Sequence, residues 1–178
     1  MNSKSNKKTG SLCAGLFKTK ETYMNNINRI ASFSVDHDFI TTGIYVSRID
    51  GDITTYDLRT RKPNCDCYMD NLTMHSVEHM FATYIRNSAI KDDVIYFGPM
   101  GCQTGFYLLV RNADNGTVFN AVCETLNKII NHTDEIFGKS RKECGNYKNL
   151  DLESAKAECR EYLIALGTTT PDFKYPTE

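Results

Sequence analysis

The Asp50-Gly51-Asp52 segment constrains the fold more than any other stretch of this chain. It separates two runs of β-branched and aromatic residues, Gly43-Ile44-Tyr45-Val46-Ser47-Arg48-Ile49 and Ile53-Thr54-Thr55-Tyr56-Asp57-Leu58-Arg59. Glycine accepts positive φ without steric penalty, so an Asp-Gly pair between two such runs predicts a tight hairpin. Strands joined that closely pair antiparallel. Val94-Ile95-Tyr96-Phe97 and Gly105 to Arg111 read as further strands, and Ile30 to Val35 shows apolar residues at 31, 33 and 35, a strand-like alternation. Helices are expected over Leu72–Ser88, over Thr117–Phe137 after an Asn115-Gly116 turn, and over Leu152–Leu166, where Gly167 and a Thr/Pro run stop the last one. Strands and helices intermingle around an antiparallel hairpin. The expected class is therefore α+β, a single domain with a mostly antiparallel sheet packed against helices.

Residues 28–170 are expected to form that domain, and 178 residues are enough to bury a core. Residues 1–27 carry five lysines and one acidic residue and read as a disordered basic extension. Their one apolar cluster, Leu12 to Phe17, is too short for an export signal. Residues 171–178 read as a tail. Twenty-one Lys and Arg against 22 Asp and Glu give a net charge of −1, without the basic excess of a nucleic-acid binder. No apolar run reaches the roughly 18 residues of a membrane span. Seven cysteines, an odd number at irregular spacings, point to reduced thiols and a cytoplasmic location.

The chemistry concentrates in His75-Ser76-Val77-Glu78-His79. On a helix, His75 and His79 lie about 40° apart and Glu78 about 60° to the other side of His75. Val77, Met80, Phe81 and Tyr84 fall on the opposite, apolar face. Two imidazoles one turn apart can share an ion, and a carboxylate beside them is placed for proton transfer; the order H-x-x-E-H is that of inverted zinc peptidases. Two histidines under-ligate a metal, and the cysteines are the selective remaining donors. Cys144 sits in Glu143-Cys144-Gly145-Asn146-Tyr147 between two helices. Cys102 sits in the glycine-dense bend Gly98 to Gly105. Cys123 and Cys159 fall at core spacing and are read as packing residues. Cys65-x-Cys67 is a lone pair in a loop, and it and Cys13 have no assigned role.

Taken in order, several segments resemble the S-ribosylhomocysteine lyase (LuxS) family, which makes the precursor of autoinducer-2. They are Ile30-Ala31-Ser32-Phe33-Ser34-Val35-Asp36-His37, Gly43 to Arg48, Tyr56-Asp57-Leu58-Arg59, His75 to His79, Gly98-Pro99-Met100-Gly101-Cys102-Gln103-Thr104-Gly105-Phe106-Tyr107, and Glu143 to Tyr147. The resemblance covers roughly residues 28 to 165. It implies a homodimeric metalloenzyme that cleaves S-ribosylhomocysteine to homocysteine and 4,5-dihydroxy-2,3-pentanedione, with the site at the dimer interface. It implies one divalent ion per subunit, iron(II) or a zinc or cobalt substitute, held by His75, His79 and Cys144. Cys102 and Glu78 would be catalytic, and Ser32, His37 and Arg59 would contact substrate. Some family members carry an aspartate close to where Tyr96 stands, so a carboxylate role at that point is not expected here.

The residue chemistry suits that reaction. Moving a sugar carbonyl along its chain and then expelling a thiolate needs a Lewis acid with an open position and bases that move protons at carbon and oxygen. A His2Cys set suits iron(II), cobalt or zinc better than magnesium or calcium. Arg59 is able to grip a carboxylate in bidentate fashion, as the amino-acid end of the substrate requires. Two alternatives use the same residues: a small metal-dependent hydrolase with Glu78 as general base, and a structural zinc module closed by Cys102 as a fourth ligand.

Overall fold

The computed structural model describes residues 28, 30, 33–112, 114–168 and 171–177. The expected disorder of residues 1–27 lies outside them, as does Ser32. The chain divides into two compact units, Met1–Ser34 and Val35–Glu178. In the first, the described residues form a turn, with Phe33 N–H donating to the Ile30 carbonyl at 3.0 Å and Ser34 Oγ to the same oxygen at 3.2 Å. Of the strand expected over Ile30–Val35, the described residues Ile30 and Phe33–Val35 are not extended pairing partners, which corrects that expectation for them, while Ala31 and Ser32 lie outside the described residues. Alternating apolar residues do not outweigh a serine hydroxyl that competes for the backbone.

Among the described residues the regular elements all belong to the second unit: β1 (Gly43–Asp50), β2 (Ile53–Arg59), α1 (Asn71–Ile85), β3 (Val94–Pro99), β4 (Gly105–Arg111), α2 (Asn115–Ile130) and α3 (Leu152–Leu166). The four strands form one sheet in the order β1-β2-β4-β3, every pair antiparallel. The hairpin forms as expected. Asp50 pairs with Ile53, so Gly51 and Asp52 are the two loop residues, and Gly51 at φ 63° takes the first central position, where a type II′ turn needs glycine.

Alternation along the strands sends Ile44, Tyr56, Leu58, Phe106, Leu108 and Phe97 into one core with the helices. Phe81 of α1 stacks on Phe97 with centroids 4.2 Å apart, and Phe97 on Phe106 at 5.1 Å, which locks α1 onto the sheet. Tyr45, Asp57, Arg59 and Tyr107 point to the opposite face. Each helix begins at an aspartate N-cap: Asp70, Asp114 and Asp151 accept from Thr73, Thr117 and Ser154 N–H.

α1 and α2 end sooner than the periodicity suggests, α2 also starts earlier, and α3 spans Leu152–Leu166 as expected. α1 stops at Ile85 because Ser88 Oγ bonds the Ile85 carbonyl and receives Ile90 N–H, diverting the chain. α2 stops at Ile130 rather than Phe137. His132 is buried and held by Tyr84 Oη at 2.7 Å and the Glu135 carbonyl at 3.0 Å, turning the chain back toward α1. The Asn115-Gly116 pair expected as a turn is instead the first turn of α2, recruited by the Asp114 cap. Among the described residues no helix is long and apolar enough to cross a membrane.

Candidate active site and metal centre

α1 presents His75 and His79 side by side, with ring centroids 4.6 Å apart and planes at 85°. Cys144, from the segment between α2 and α3, brings its Sγ to 3.4 Å from His75 Nε2. One donor atom from each of the three lies within 4.8 Å of the others, and all three residues are partly buried. The second nitrogens set the tautomers: His75 Nδ1 meets the Asn149 carbonyl and His79 Nδ1 the Phe137 carbonyl, both at 2.8 Å. A carbonyl only accepts, so each Nδ1 carries the proton and each Nε2 keeps a free lone pair. Asn146 N–H points at the Cys144 sulfur from 3.3 Å, as a thiolate acceptor requires. Two neutral imidazoles and a thiolate fit a divalent transition-metal ion, with a fourth direction left open.

Gly138 makes this packing possible. At φ 72° it follows Phe137 over the His79 ring, and a Cβ there would stand 2.8 Å from Nδ1 and 3.0 Å from Cε1. Only a residue without Cβ lets the Phe137 carbonyl reach the imidazole.

The second cluster lies on the sheet. Met100 N–H closes on the Gly105 carbonyl at 2.9 Å, forming a tight β3–β4 turn with Gln103 at φ 64° and Cys102 exposed near its tip. The loop after β2 braces this turn: Thr60 and Arg61 N–H both donate to the Thr104 carbonyl, and Met69 N–H to that of Gln103. Gly105 has no room for a side chain, since a Cβ would lie 2.5 Å from the Leu58 carbonyl of β2. Arg59 reaches up from β2 with Nη1 2.6 Å from Thr104 Oγ1 and 3.9 Å from Cys102 Sγ, and Cys102 Sγ is 3.0 Å from Thr104 Oγ1.

Arg59 does not offer the free fork expected for a substrate carboxylate. Its Nε and Nη2 already grip Asp57 Oδ1 and Oδ2, and its side chain is only 3 % exposed. Burial pulls the guanidinium down, but the charge and hydrogen bond of Asp57 outweigh it and raise it further. Arg59 is thus a fixed cation whose remaining nitrogen, Nη1, donates to Thr104 Oγ1 and faces the thiol.

Glu78 is partly buried on the His75/His79 side of α1, and among the described residues its carboxylate makes no hydrogen bond or ion pair. His37, partly buried before β1, bonds the Val35 carbonyl through Nδ1 at 3.0 Å, leaving Nε2 as an acceptor. Tyr96 is half exposed on β3. Cys123 is partly buried and Cys159 fully so, and burial pushes both thiols up, as inert packing residues require. Cys67 accepts from Arg61 Nη1 at 3.0 Å in an exposed loop. Asp57, Thr104 and Gly138 were not singled out from the sequence. Asp57 alone had a signal, since two residues before Arg59 on a strand means the same face.

A closed structural zinc site would need a fourth protein donor, yet among the described residues only His75, His79 and Cys144 gather. Three donors with an open direction, beside an exposed thiol near a guanidinium, are the arrangement of a metal-dependent enzyme rather than of a closed structural site. The chain belongs to the S-ribosylhomocysteinase (LuxS) family, whose sequence model matches residues 30–171. It is 39% identical over 157 residues to an S-ribosylhomocysteine lyase of Borrelia garinii subsp. bavariensis, covering 84% of this chain and 100% of the relative. Likewise it is 43% identical over 146 residues to one from Finegoldia magna, covering 79% and 93%, and 41% identical over 159 residues to one from Desulfotalea psychrophila, covering 85% and 100%.

Proposed function

We propose that the His75–His79–Cys144 group, Cys102 and Glu78 carry out the family's reaction in this chain: cleavage of the thioether of S-ribosylhomocysteine to homocysteine and 4,5-dihydroxy-2,3-pentanedione. The thioether sits on C5 of the ribose and the carbonyl on C1, so elimination must wait until the carbonyl stands at C3. Two carbonyl shifts, each moving one proton between neighbouring carbons and one between neighbouring oxygens, bring it there, and loss of the C4 proton then expels the thiolate. A divalent ion held by the three donors, iron(II) with zinc or cobalt as substitutes, supplies Lewis acidity to the substrate's oxygens when bound.

The chain's own residues do the rest. Cys102, exposed at the turn with Arg59 Nη1 at 3.9 Å, takes and returns protons at carbon. Glu78, unpartnered among the described residues, moves protons at oxygen and hands one to the departing sulfur. Ser32 and His37 bind substrate, His37 through its free Nε2. Arg59 contributes a fixed positive charge beside the substrate and Cys102 rather than a carboxylate fork. The enzyme acts in the cytoplasm as a homodimer with the site at the interface, and Phe39, Ile95 and Tyr96 are exposed apolar side chains that a second copy can cover.

The observation that carries this reading is the paired Nδ1–carbonyl bonds at 2.8 Å, which free both Nε2 atoms toward the Cys144 sulfur. Thiol release from S-ribosylhomocysteine, measured alongside metal content, tests it. Metal-loaded protein that releases no thiol, or that cleaves casein instead, would sink it.

A further inference from the structure

Residues 171–177 close around the open edge of the sheet. β1 is an edge strand, and its Val46 N–H donates outward to the Phe173 carbonyl at 2.8 Å beside the bulge at Val46/Arg48. Phe173, at φ 62°, turns the segment. Its ring packs edge-on against Tyr56 and Phe119 on the helix side, with centroids 6.4 Å away in each case. Two residues on, Tyr175 lies on the other face, stacked on Tyr45 at 5.0 Å, and its hydroxyl donates to Asp57 Oδ2 at 2.8 Å.

Asp57 is fully buried, and its carboxylate takes three donors: Arg59 Nε, Arg59 Nη2 and Tyr175 Oη. With the carboxylate pinned from two sides, the guanidinium plane is fixed and Nη1 is left facing Thr104 Oγ1 and Cys102 Sγ. Burial first, and then the charge of Asp57, hold the Tyr175 phenol well above its ordinary value, so it remains a donor throughout the neutral range.

We propose that Tyr175 is a positioning residue for the reaction: through Asp57 it holds Arg59 with Nη1 toward Cys102, so that residues 171–175 form a working part of the active site. This rests on the roles proposed above for Arg59 and Cys102. A segment that merely stabilises the fold needs the Tyr175 ring on Tyr45 but not its hydroxyl.

The test uses the full, metal-loaded chain and Tyr175→Phe, which keeps the ring and removes the hydroxyl. Three quantities are read: kcat/KM for thiol release, the rate at which iodoacetamide alkylates Cys102 followed peptide by peptide, and the thermal midpoint. Loss of one hydrogen bond to a charged group sets the scale, and Tyr175→Phe is expected to lower both rates about tenfold. Its thermal midpoint should move by only a few degrees. Phe173→Ala, which frees the segment from its anchor, is expected to reproduce both losses. In an Arg59→Lys background Tyr175→Phe should change neither rate further, because the residue it acts through is gone. Wild-type rates in Tyr175→Phe, or an equal loss in the Arg59→Lys background, would overturn the proposal. If the wild-type chain released no thiol, the proposed reaction would fall, and the alkylation rates would still decide whether Tyr175 holds Arg59 against Cys102.

Discussion

Gly138→Ala perturbs the metal centre without altering a ligand. The residue sits at φ 72°, where a non-glycine residue costs about 1–2 kcal/mol. The new Cβ would stand 2.8 Å from His79 Nδ1, against the 3.4 Å at which ordinary contact begins, so ring and backbone must separate by 3.4 − 2.8 = 0.6 Å. That separation stretches the 2.8 Å bond from Nδ1 to the Phe137 carbonyl to as much as about 3.4 Å, past the usual N–H···O range, and weakens it. Losing it altogether would add about 1–3 kcal/mol. It also frees the imidazole to rotate or change tautomer, a loss that lowers metal affinity roughly 10–100-fold.

Gly51→Ala separates the two effects. Gly51 has nearly the same φ, 63°, but nothing within 4 Å of its would-be Cβ. It should lose only the backbone penalty of about 1–2 kcal/mol, a fall of roughly 2–8 °C in thermal midpoint. Gly138→Ala should fall further and give up its metal to a chelator at a concentration that leaves Gly51→Ala loaded. The measurement is metal retained against increasing chelator, with melting curves of both variants. Equal metal retention in the two variants would refute the reasoning, because the Phe137–Gly138 segment would then not be orienting His79.

Further expectations follow from the same geometry. Cys144→Ala should lose the metal, whereas Cys102→Ala should keep it, bind substrate and lose turnover; metal analysis with thiol release reads both, and normal thiol release by Cys102→Ala would remove that residue from the mechanism. Glu78→Gln should also hold its metal while losing most of the rate, about 10²–10⁴-fold for a general acid–base residue, and full activity would contradict its role. For pH dependence, Asp151 accepts from Ser154 Oγ at 2.6 Å and Ser154 N–H at 2.7 Å, and these bonds hold its carboxyl below the ordinary value. A lowered native value means stability present above the ordinary carboxylate pKa, near ~4, and lost as pH falls through the lower native one. Asp151→Ala should therefore be less stable than the parent by about 1 kcal/mol near pH 7, and denaturant titrations should show that gap closing below about pH 4. A gap unchanged at strongly acid pH would show that the cap does not act through the ionised carboxylate.

What the sequence revealed and what it concealed divide by range. The β1–β2 hairpin was legible because Gly51 and its flanking β-branched runs sit within 17 residues of one another and obey local sterics. His75 and His79 were legible because one turn of helix fixes their relation whatever surrounds them. Cys144 and Cys102 stood out by residue type, but nothing local says that one sulfur meets His75 while the other meets Arg59. The supports of both clusters were not legible. Gly138 is needed only because His79 lies beneath it, and Asp57 is 118 residues from the Tyr175 hydroxyl that completes its partners. Such pairs leave no periodicity, because each member satisfies its own neighbours equally well in many folds. The ends of α1 and α2 went the same way: Ser88 and His132 break helices that their apolar spacing would continue, and His132 does so through Tyr84 on another element. In this chain the candidate reacting groups are therefore readable from local sequence, and the groups that aim them are distant. A substitution at Gly138 or Tyr175 should consequently change the chemistry while every residue of the H-x-x-E-H and Gly-Cys-Gln-Thr segments remains in place.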